Sequence, residues 1–121
     1  MTTKETVDAY MAAWNETDKG KRAQMLQQCW SETGTYTDPM SDVTGRDALS
    51  AVIDGFHSQM AGATIVTATG LDQHHNRVRF GWKLIMEDGS TRIEGIDIGF
   101  LADDGRLASI TGFWGVSPPA E

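Results

Sequence analysis

The chain has 121 residues, of which 40% are hydrophobic and 22% are charged, and its formal net charge is −7. This length fits one domain with a buried core, so we expect a single domain over residues 1–121. An acidic surface repels nucleic-acid phosphates and anionic lipids, which argues against both as partners.

The first part of the chain predicts two amphipathic helices. Thr2 and Glu5 have the spacing of a capping box at the start of helix one. The apolar stripe of this helix consists of Val7, Tyr10, Met11 and Trp14. Helix two is predicted over residues 19–30. The one cysteine, Cys29, lies in its apolar pattern and is interpreted as a small buried hydrophobic residue.

A short strand and a third helix follow. Residues 35–39 alternate like a strand, which the proline at its end terminates. Helix three is predicted to begin after Gly45, with Thr44 and Asp47 at capping spacing, and to stop near Gly62. Its apolar stripe consists of Leu49, Val52, Ile53, Phe56 and Met60.

From residue 63 the hydrophobic period becomes two. Asp88-Gly89 and Asp104-Gly105 are hairpin signals between three long strands. The inner face of the first strand is predicted as Val78, Phe80, Trp82, Leu84 and Met86, and that of the second as Ile93, Gly95, Asp97, Gly99 and Leu101. The pattern predicts an α+β domain in which three helices pack on a curved, mainly antiparallel sheet and enclose a pocket.

Asp38 is the first residue with possible chemistry. A carboxylate at a strand end with apolar neighbours is a possible general base. The alternative is a turn residue whose side chain bonds the nearby backbone.

Asp97 is the second such residue, because it is the only charge on an apolar strand face. Burial would raise its pKa and keep it protonated. Alternatively, this face is hydrated, or Arg79 or Arg106 pairs with the carboxylate.

Tyr10 is the third, since it carries a hydroxyl on the apolar stripe of helix one; a core role with a satisfied hydroxyl is the alternative. His74 and His75 are interpreted as exposed turn residues. No metal site is expected, because no cysteine or HExxH spacing accompanies them. The sequence also shows no GxSxG motif and no phosphate-binding glycine loop.

Four segments together resemble a known family: Tyr10–Asn15, Tyr36–Pro39, Gly45–Ala48 and Gly95–Asp97. In this order they are similar to the SnoaL-like and ketosteroid isomerase-like branch of the nuclear transport factor 2-like superfamily. The resemblance implies that superfamily's cone-shaped fold. Members include isomerases, cyclases, epoxide hydrolases and binding modules, so the fold does not define a reaction.

The ketosteroid isomerases use one aspartate as the base, and a tyrosine with a neutral aspartic acid as hydrogen-bond donors to the substrate oxygen. By resemblance, Asp38 corresponds to the base, and Tyr10 and Asp97 correspond to the donors. The predicted pocket lining is Trp14, Tyr36, Met40, Phe56, Met60, Trp82 and Trp114.

The resulting hypothesis is an isomerase or polyketide-cyclase-like enzyme, without a cofactor, that moves a proton next to the carbonyl of a small apolar molecule. The alternatives are a non-catalytic binding module and an epoxide hydrolase-like enzyme, which needs an arginine in the pocket. The resemblance also implies a homodimer. The alternating Ile96, Ile98 and Phe100 form an apolar patch that either a helix or a partner is expected to cover. The first residues lack the apolar segment of a signal peptide, so we expect a cytoplasmic protein.

Overall fold

A computed structural model describes all 121 residues of the chain. The helices are α1 (Thr3–Asn15), α2 (Lys19–Cys29) and α3 (Arg46–Gln59). The strands are β1 (Trp30–Asp38), β2 (Ser41–Thr44), β3 (Thr64–Thr67), β4 (Asp72–His74), β5 (Arg77–Ile85), β6 (Thr91–Leu101) and β7 (Leu107–Trp114). The predicted α+β class with three helices is confirmed.

The start of α1 follows the sequence prediction. The Glu5 amide donates a hydrogen bond to the Thr2 hydroxyl, and the Thr2 amide donates one to the Glu5 carboxylate. This capping box satisfies amides that have no partner within the first turn. Asp18 caps α2 by accepting a hydrogen bond from the amide of Lys21.

The first strand is longer than predicted. Helix α2 ends at Cys29, and Trp30 already has the extended conformation of β1. A register shift between Trp30 and Thr35 interrupts the alternation of buried and exposed residues, which hides the first half of this strand from a pattern search. The strand ends at Asp38, as the following proline requires.

The predicted side-chain cap of α3 is wrong. Thr44 is the last residue of β2 and pairs with Thr35, so Gly45 takes the capping position without a side-chain hydrogen bond. Gly45 has φ of 96°, which glycine adopts without strain. The helix ends at Gln59, close to the predicted stop, and Gly62 adopts φ of 82° in the turn that follows.

The seven strands form one sheet in the order β2-β1-β7-β6-β5-β3, with β4 paired to β5. Neighbouring strands are antiparallel except β1 and β7, which are parallel. Both predicted hairpins are confirmed, with positive φ at Gly89 and Gly105. Because β7 lies between β1 and β6, it brings Asp38 and Asp97 to the same region of the sheet.

Two polar side chains fasten the helices. The fully buried guanidinium of Arg22 donates hydrogen bonds to the Glu16 carbonyl, to Ser50 and to Asp54. These bonds join α2 to α3 and to the loop that precedes α2. The side-chain amide of Asn15 pairs with both backbone groups of Ile65, so the end of α1 extends the edge of β3. None of the three helices is long and apolar enough to cross a bilayer.

Candidate active site

The helices and the inner face of the sheet enclose a cavity of about 300 Å³. Of the 18 residues that line it, 13 are hydrophobic. All ten residues predicted for the site line this cavity: Tyr10, Trp14, Tyr36, Asp38, Met40, Phe56, Met60, Trp82, Asp97 and Trp114. The structure thus brings them together, while their functional roles stay predictions.

The cavity has a buried end and an open end. Tyr10 is 1% exposed and Asp97 is 6% exposed, so both belong to the buried end. Met40 is 76% exposed and Trp114 is 38% exposed, which places these two residues at the mouth. A ligand would therefore enter past Met40 and Trp114 and meet Tyr10 and Asp97 last.

Asp97 lies on the inner face of β6, which confirms the face predicted from the period-two pattern. The indole Nε1 of Trp82 donates a hydrogen bond to its Oδ1 over 2.9 Å, and Oδ2 makes no hydrogen bond within the protein. Burial raises the pKa of Asp97 from 3.8 to about 7, with a smaller contribution from the charge of Asp38. Near neutral pH a substantial fraction of Asp97 is therefore protonated and able to donate a hydrogen bond from Oδ2.

Neither of the two arginines considered as partners of Asp97 forms a hydrogen bond with it. Arg79 bonds Asp72 on neighbouring β4, and Arg106 bonds Asp104 and the Gln27 carbonyl. The period of β5 explains the first case, because Arg79 is exposed and lies on the face opposite Phe80.

Asp38 is held through both oxygens at the end of β1. The Tyr36 hydroxyl donates a hydrogen bond to Oδ2 over 2.6 Å, and the Met40 amide donates one to Oδ1 over 2.8 Å. The second bond is the turn interaction that the sequence offered as the alternative to a general base. Asp38 is therefore a turn residue that also lines the cavity, and its role as a general base stays a prediction.

Gly112 lets the two carboxyl side chains approach each other. It pairs directly with Asp97 across β6 and β7, and Thr111 pairs with Thr37 across β7 and β1. A Cβ atom at position 112 would lie 3.0 Å from Asp97 Oδ1 and 3.6 Å from Asp38 Cβ. The absent side chain thus leaves room for both acids over the same point of β7.

Tyr10 completes the buried end from α1. Its ring stacks on Trp30 with 5.5 Å between ring centroids. Burial raises the pKa of Tyr10 well above its usual value, and the nearby charge of Asp97 raises it further. The phenol therefore stays protonated and can serve as a hydrogen-bond donor.

Two hydrogen-bond donors were predicted only as pocket lining. Tyr36 and Asp38 are two residues apart on one strand and so share a face, which is a signal that could have suggested their bond. Trp82 and Asp97 lie on adjacent strands, and Gly95, directly opposite Trp82, leaves the space that the indole occupies. That contact depends on strand register, which the sequence pattern did not define.

Other reactive side chains lie away from the cavity. His74 and His75 are exposed beside the turn before β5, as predicted. Cys29 is buried, as predicted, and burial raises the pKa of its thiol to about 12.

Comparison with known proteins identifies the family. A family profile described as a SnoaL-like domain matches residues 7–110. No functionally curated protein matches the sequence significantly.

Solved structures also resemble the chain. A SnoaL-like family protein from Agrobacterium tumefaciens, whose name suggests isomerase activity, is 33% identical with a TM-score of 0.89, covering 96% of this chain and 100% of its own. A nuclear transport factor 2-like protein of unknown function from Exiguobacterium is 19% identical with a TM-score of 0.73, covering 93% and 99%. A Jannaschia protein named as a possible SnoaL-like polyketide cyclase is 11% identical with a TM-score of 0.68, covering 92% and 85%. At identities of 19% and 11%, the last two similarities concern the fold alone.

Proposed function

The chain belongs to the SnoaL-like domain family, and from this premise we propose that it is an enzyme that moves a proton next to the carbonyl group of a small molecule, using its own side chains. The observation that carries the proposal is that Tyr10, Asp38 and Asp97 line one mostly apolar cavity, with Tyr10 and Asp97 at its buried end. An acid with a raised pKa in an apolar cavity with a few converging polar groups is typical of active sites.

In the proposed reaction, Asp38 removes a proton from the carbon next to the carbonyl. The electrons of that C–H bond shift toward the carbonyl oxygen, which becomes an enolate. Tyr10 and protonated Asp97 donate hydrogen bonds to this oxygen. The proton then returns from Asp38 to a different carbon in an isomerisation. In an aldol cyclisation, the enolate carbon instead attacks a second carbonyl, and the alkoxide formed there takes up the proton from Asp38.

The rate enhancements expected of these groups are large enough for such chemistry. One well-placed donor to a developing oxyanion lowers the barrier by about 3–4 kcal/mol. A positioned general base contributes about 10²–10⁴ in rate. The Tyr36 and Met40 hydrogen bonds fix the Asp38 carboxyl group, which reduces the reorganisation that the reaction requires.

A binding module without turnover is the second possibility. The Met40–Asp38 hydrogen bond favours it, because this is the bond of a structural turn. The epoxide hydrolase-like alternative lacks support, since the cavity lining contains no arginine.

Proton exchange tests the proposal without knowledge of the natural substrate. 2-Tetralone is an uncharged bicyclic ketone whose protons next to the carbonyl exchange with D₂O, and NMR follows their loss. We expect the protein to accelerate exchange, and Asp38→Asn to lower the acceleration by about 10²-fold or more while binding persists. Binding of 2-tetralone without accelerated exchange would support the binding module instead.

We also propose a homodimer, which the family resemblance implies. Ile96, Ile98 and Phe100 on β6 and Phe113 on β7 form an outer patch of large, exposed apolar side chains. Arg77 stacks on Phe100 near one end of β6, and Glu94 lies near the other. Two copies related by a two-fold axis could therefore cover both patches and place unlike charges together. A cytoplasmic location stays a prediction from the sequence.

A further inference from the structure

One glycine lies in the cavity wall that helix α3 forms. The lining residues of this wall follow helical spacing along one face: Val52, Gly55, Phe56, Gln59 and, just past the end of the helix, Met60. Gly55 occupies the middle of this face, because it lies three residues after Val52 and four before Gln59. The wall therefore has a gap between neighbours that each carry a side chain.

Gly55 weakens the helix that carries it. It lies in the interior of α3, where glycine loses more backbone freedom on folding than alanine does. Relative to alanine, glycine in such a position shifts the unfolding equilibrium about two- to fivefold toward the unfolded chain. Stability alone would therefore favour alanine at position 55.

The fold does not require glycine at this position. The φ of Gly55 lies outside the left-handed region, and an added Cβ atom would meet no atom within 4 Å beyond the adjacent residues and the backbone of its own helix. The glycines within strands differ, because a Cβ atom on any of them would lie 3.0 Å or less from another atom: Gly34, Gly81, Gly95, Gly99 and Gly112. Of the glycines in helices and strands, Gly55 is thus the one with open space beside it.

The gap is open to the cavity and to solvent. Gly55 is exposed and lines the cavity, which places it toward the open end. The adjacent Phe56 is half-buried, and its ring packs edge-on against Trp14 with 5.9 Å between ring centroids. Trp14 in turn packs against Tyr36 with 5.4 Å between centroids. Because Phe56 is engaged in this aromatic cluster, it does not fill the gap, and the space stays available to a ligand.

We infer that Gly55 is a specificity-determining residue of the cavity: its missing side chain leaves the space that the body of a bound ligand occupies, and so sets the largest ligand that fits. The inference rests on the proposed use of the cavity for a small molecule, but it does not depend on turnover. A side chain at position 55 is expected both to stabilise the protein and to exclude larger ligands. These two effects together distinguish a ligand subsite from a structural glycine.

Two ketones of different size test this inference on two variants. 2-Tetralone carries an aromatic ring fused to the six-membered ring of cyclohexanone, and NMR titration measures the dissociation constant of each ketone. We expect Gly55→Leu to weaken binding of 2-tetralone by about tenfold or more, because leucine fills the gap, and Gly55→Ala to weaken it less. Binding of cyclohexanone should stay nearly the same in both variants. In urea unfolding, Gly55→Ala should lower the unfolding equilibrium constant by about two- to fivefold.

Gly20→Ala and Gly20→Leu are the matched controls, because Gly20 is the other glycine in a helix and is exposed outside the cavity. They should leave binding of both ketones unchanged. Weaker binding of 2-tetralone by Gly55→Ala is the measure should Gly55→Leu fail to fold. Unchanged binding of 2-tetralone in the Gly55 variants, an equal loss for both ketones, no binding of 2-tetralone by wild type, or a destabilised Gly55→Ala would overturn the inference. The expected size selectivity without accelerated proton exchange by wild type would support it and overturn only the proposed function.

Discussion

At the scale of single residues, the most consequential feature is an aspartic acid held among apolar side chains. The inner face of β6 is apolar or glycine on either side of Asp97, and its one hydrogen-bond partner is neutral. Burial disfavours the ionised form, so the folded protein binds this proton more tightly than the unfolded chain does. The stability of the protein should therefore depend on pH through Asp97.

Asp97→Asn should remove that dependence. The unfolded chain releases the proton near pH 4, and the folded protein releases it near pH 7. Between these values the free energy of unfolding falls as pH rises, and it levels off above pH 7. In urea unfolding, wild type should lose about 3 kcal/mol relative to Asp97→Asn between pH 5 and pH 8. Parallel pH curves for the two proteins would show that Asp97 ionises normally.

Tyr36→Phe tests the role of Tyr36 as a positioning residue. Removing its hydroxyl leaves Asp38 Oδ2 without a hydrogen bond, while Oδ1 keeps the one from the Met40 amide. We expect deuterium exchange into 2-tetralone to slow by about tenfold, while the dissociation constant of 2-tetralone stays nearly the same. Thr37→Val is the control, because it removes a neighbouring hydroxyl that bonds Asp42 instead. A loss of binding as large as the loss of rate would point to a structural role alone.

Sequence periodicity could predict that Asp97 faces inward, because a strand alternates strictly between two faces. It could also predict that Tyr36 and Asp38 lie on one face of their strand. It could not predict the Trp82–Asp97 bond, which depends on strand register and on the space beside Gly95.

At the scale of helices and strands, Arg22 has the largest structural role among the polar residues. Its guanidinium satisfies the Glu16 carbonyl and two groups of Ser50 while it pairs with Asp54. These bonds connect α2 with α3, and α3 forms one wall of the cavity. The position of that wall therefore depends on a residue outside the site.

Arg22→Met should destabilise the protein by about 3–5 kcal/mol, because it leaves buried carbonyl groups without donors. Urea unfolding measures this change directly. Lys4→Ala, which removes an exposed ion pair with Asp8, is the control and should change stability little. A similar small change in Arg22→Met would contradict the structural role.

The helices were predictable mainly from their apolar stripes, which the capping box of α1 supports, whereas the predicted cap of α3 was wrong. Arg22 escaped notice because it lies in a polar segment, Lys19–Arg22, which is typical of an exposed helix surface. The first half of β1 escaped notice because the register shift after Trp30 breaks its alternation. Local patterns therefore revealed elements with regular geometry and missed those whose geometry depends on distant contacts.

At the scale of the whole molecule, the outer face of the sheet should decide the oligomeric state. Ile98 lies in the middle of the apolar patch on β6 and is exposed in the single chain. Ile98→Lys would place two like charges at the centre of a two-fold interface and desolvate them. Sedimentation should show a dimer for wild type and a monomer for the variant. A wild-type protein that sediments as a monomer would contradict the proposed homodimer.

The order of helices and strands allowed the overall architecture to be predicted, because three stripes followed by a meander leave few ways to bury one core. The cavity was inferred from that architecture, since hydrophobic periodicity alone does not show one. The polarity of its lining, with two acids and no basic residue, became evident once α1, β1, β6 and β7 were placed together.

The most direct test of this account is an NMR titration of the Asp97 carboxyl carbon in the folded protein, assigned by comparison with Asp97→Asn. Burial that keeps this acid protonated as a hydrogen-bond donor predicts a midpoint near pH 7. A midpoint near pH 4, the value of a carboxyl group in water, would contradict the proposed role of Asp97 in catalysis.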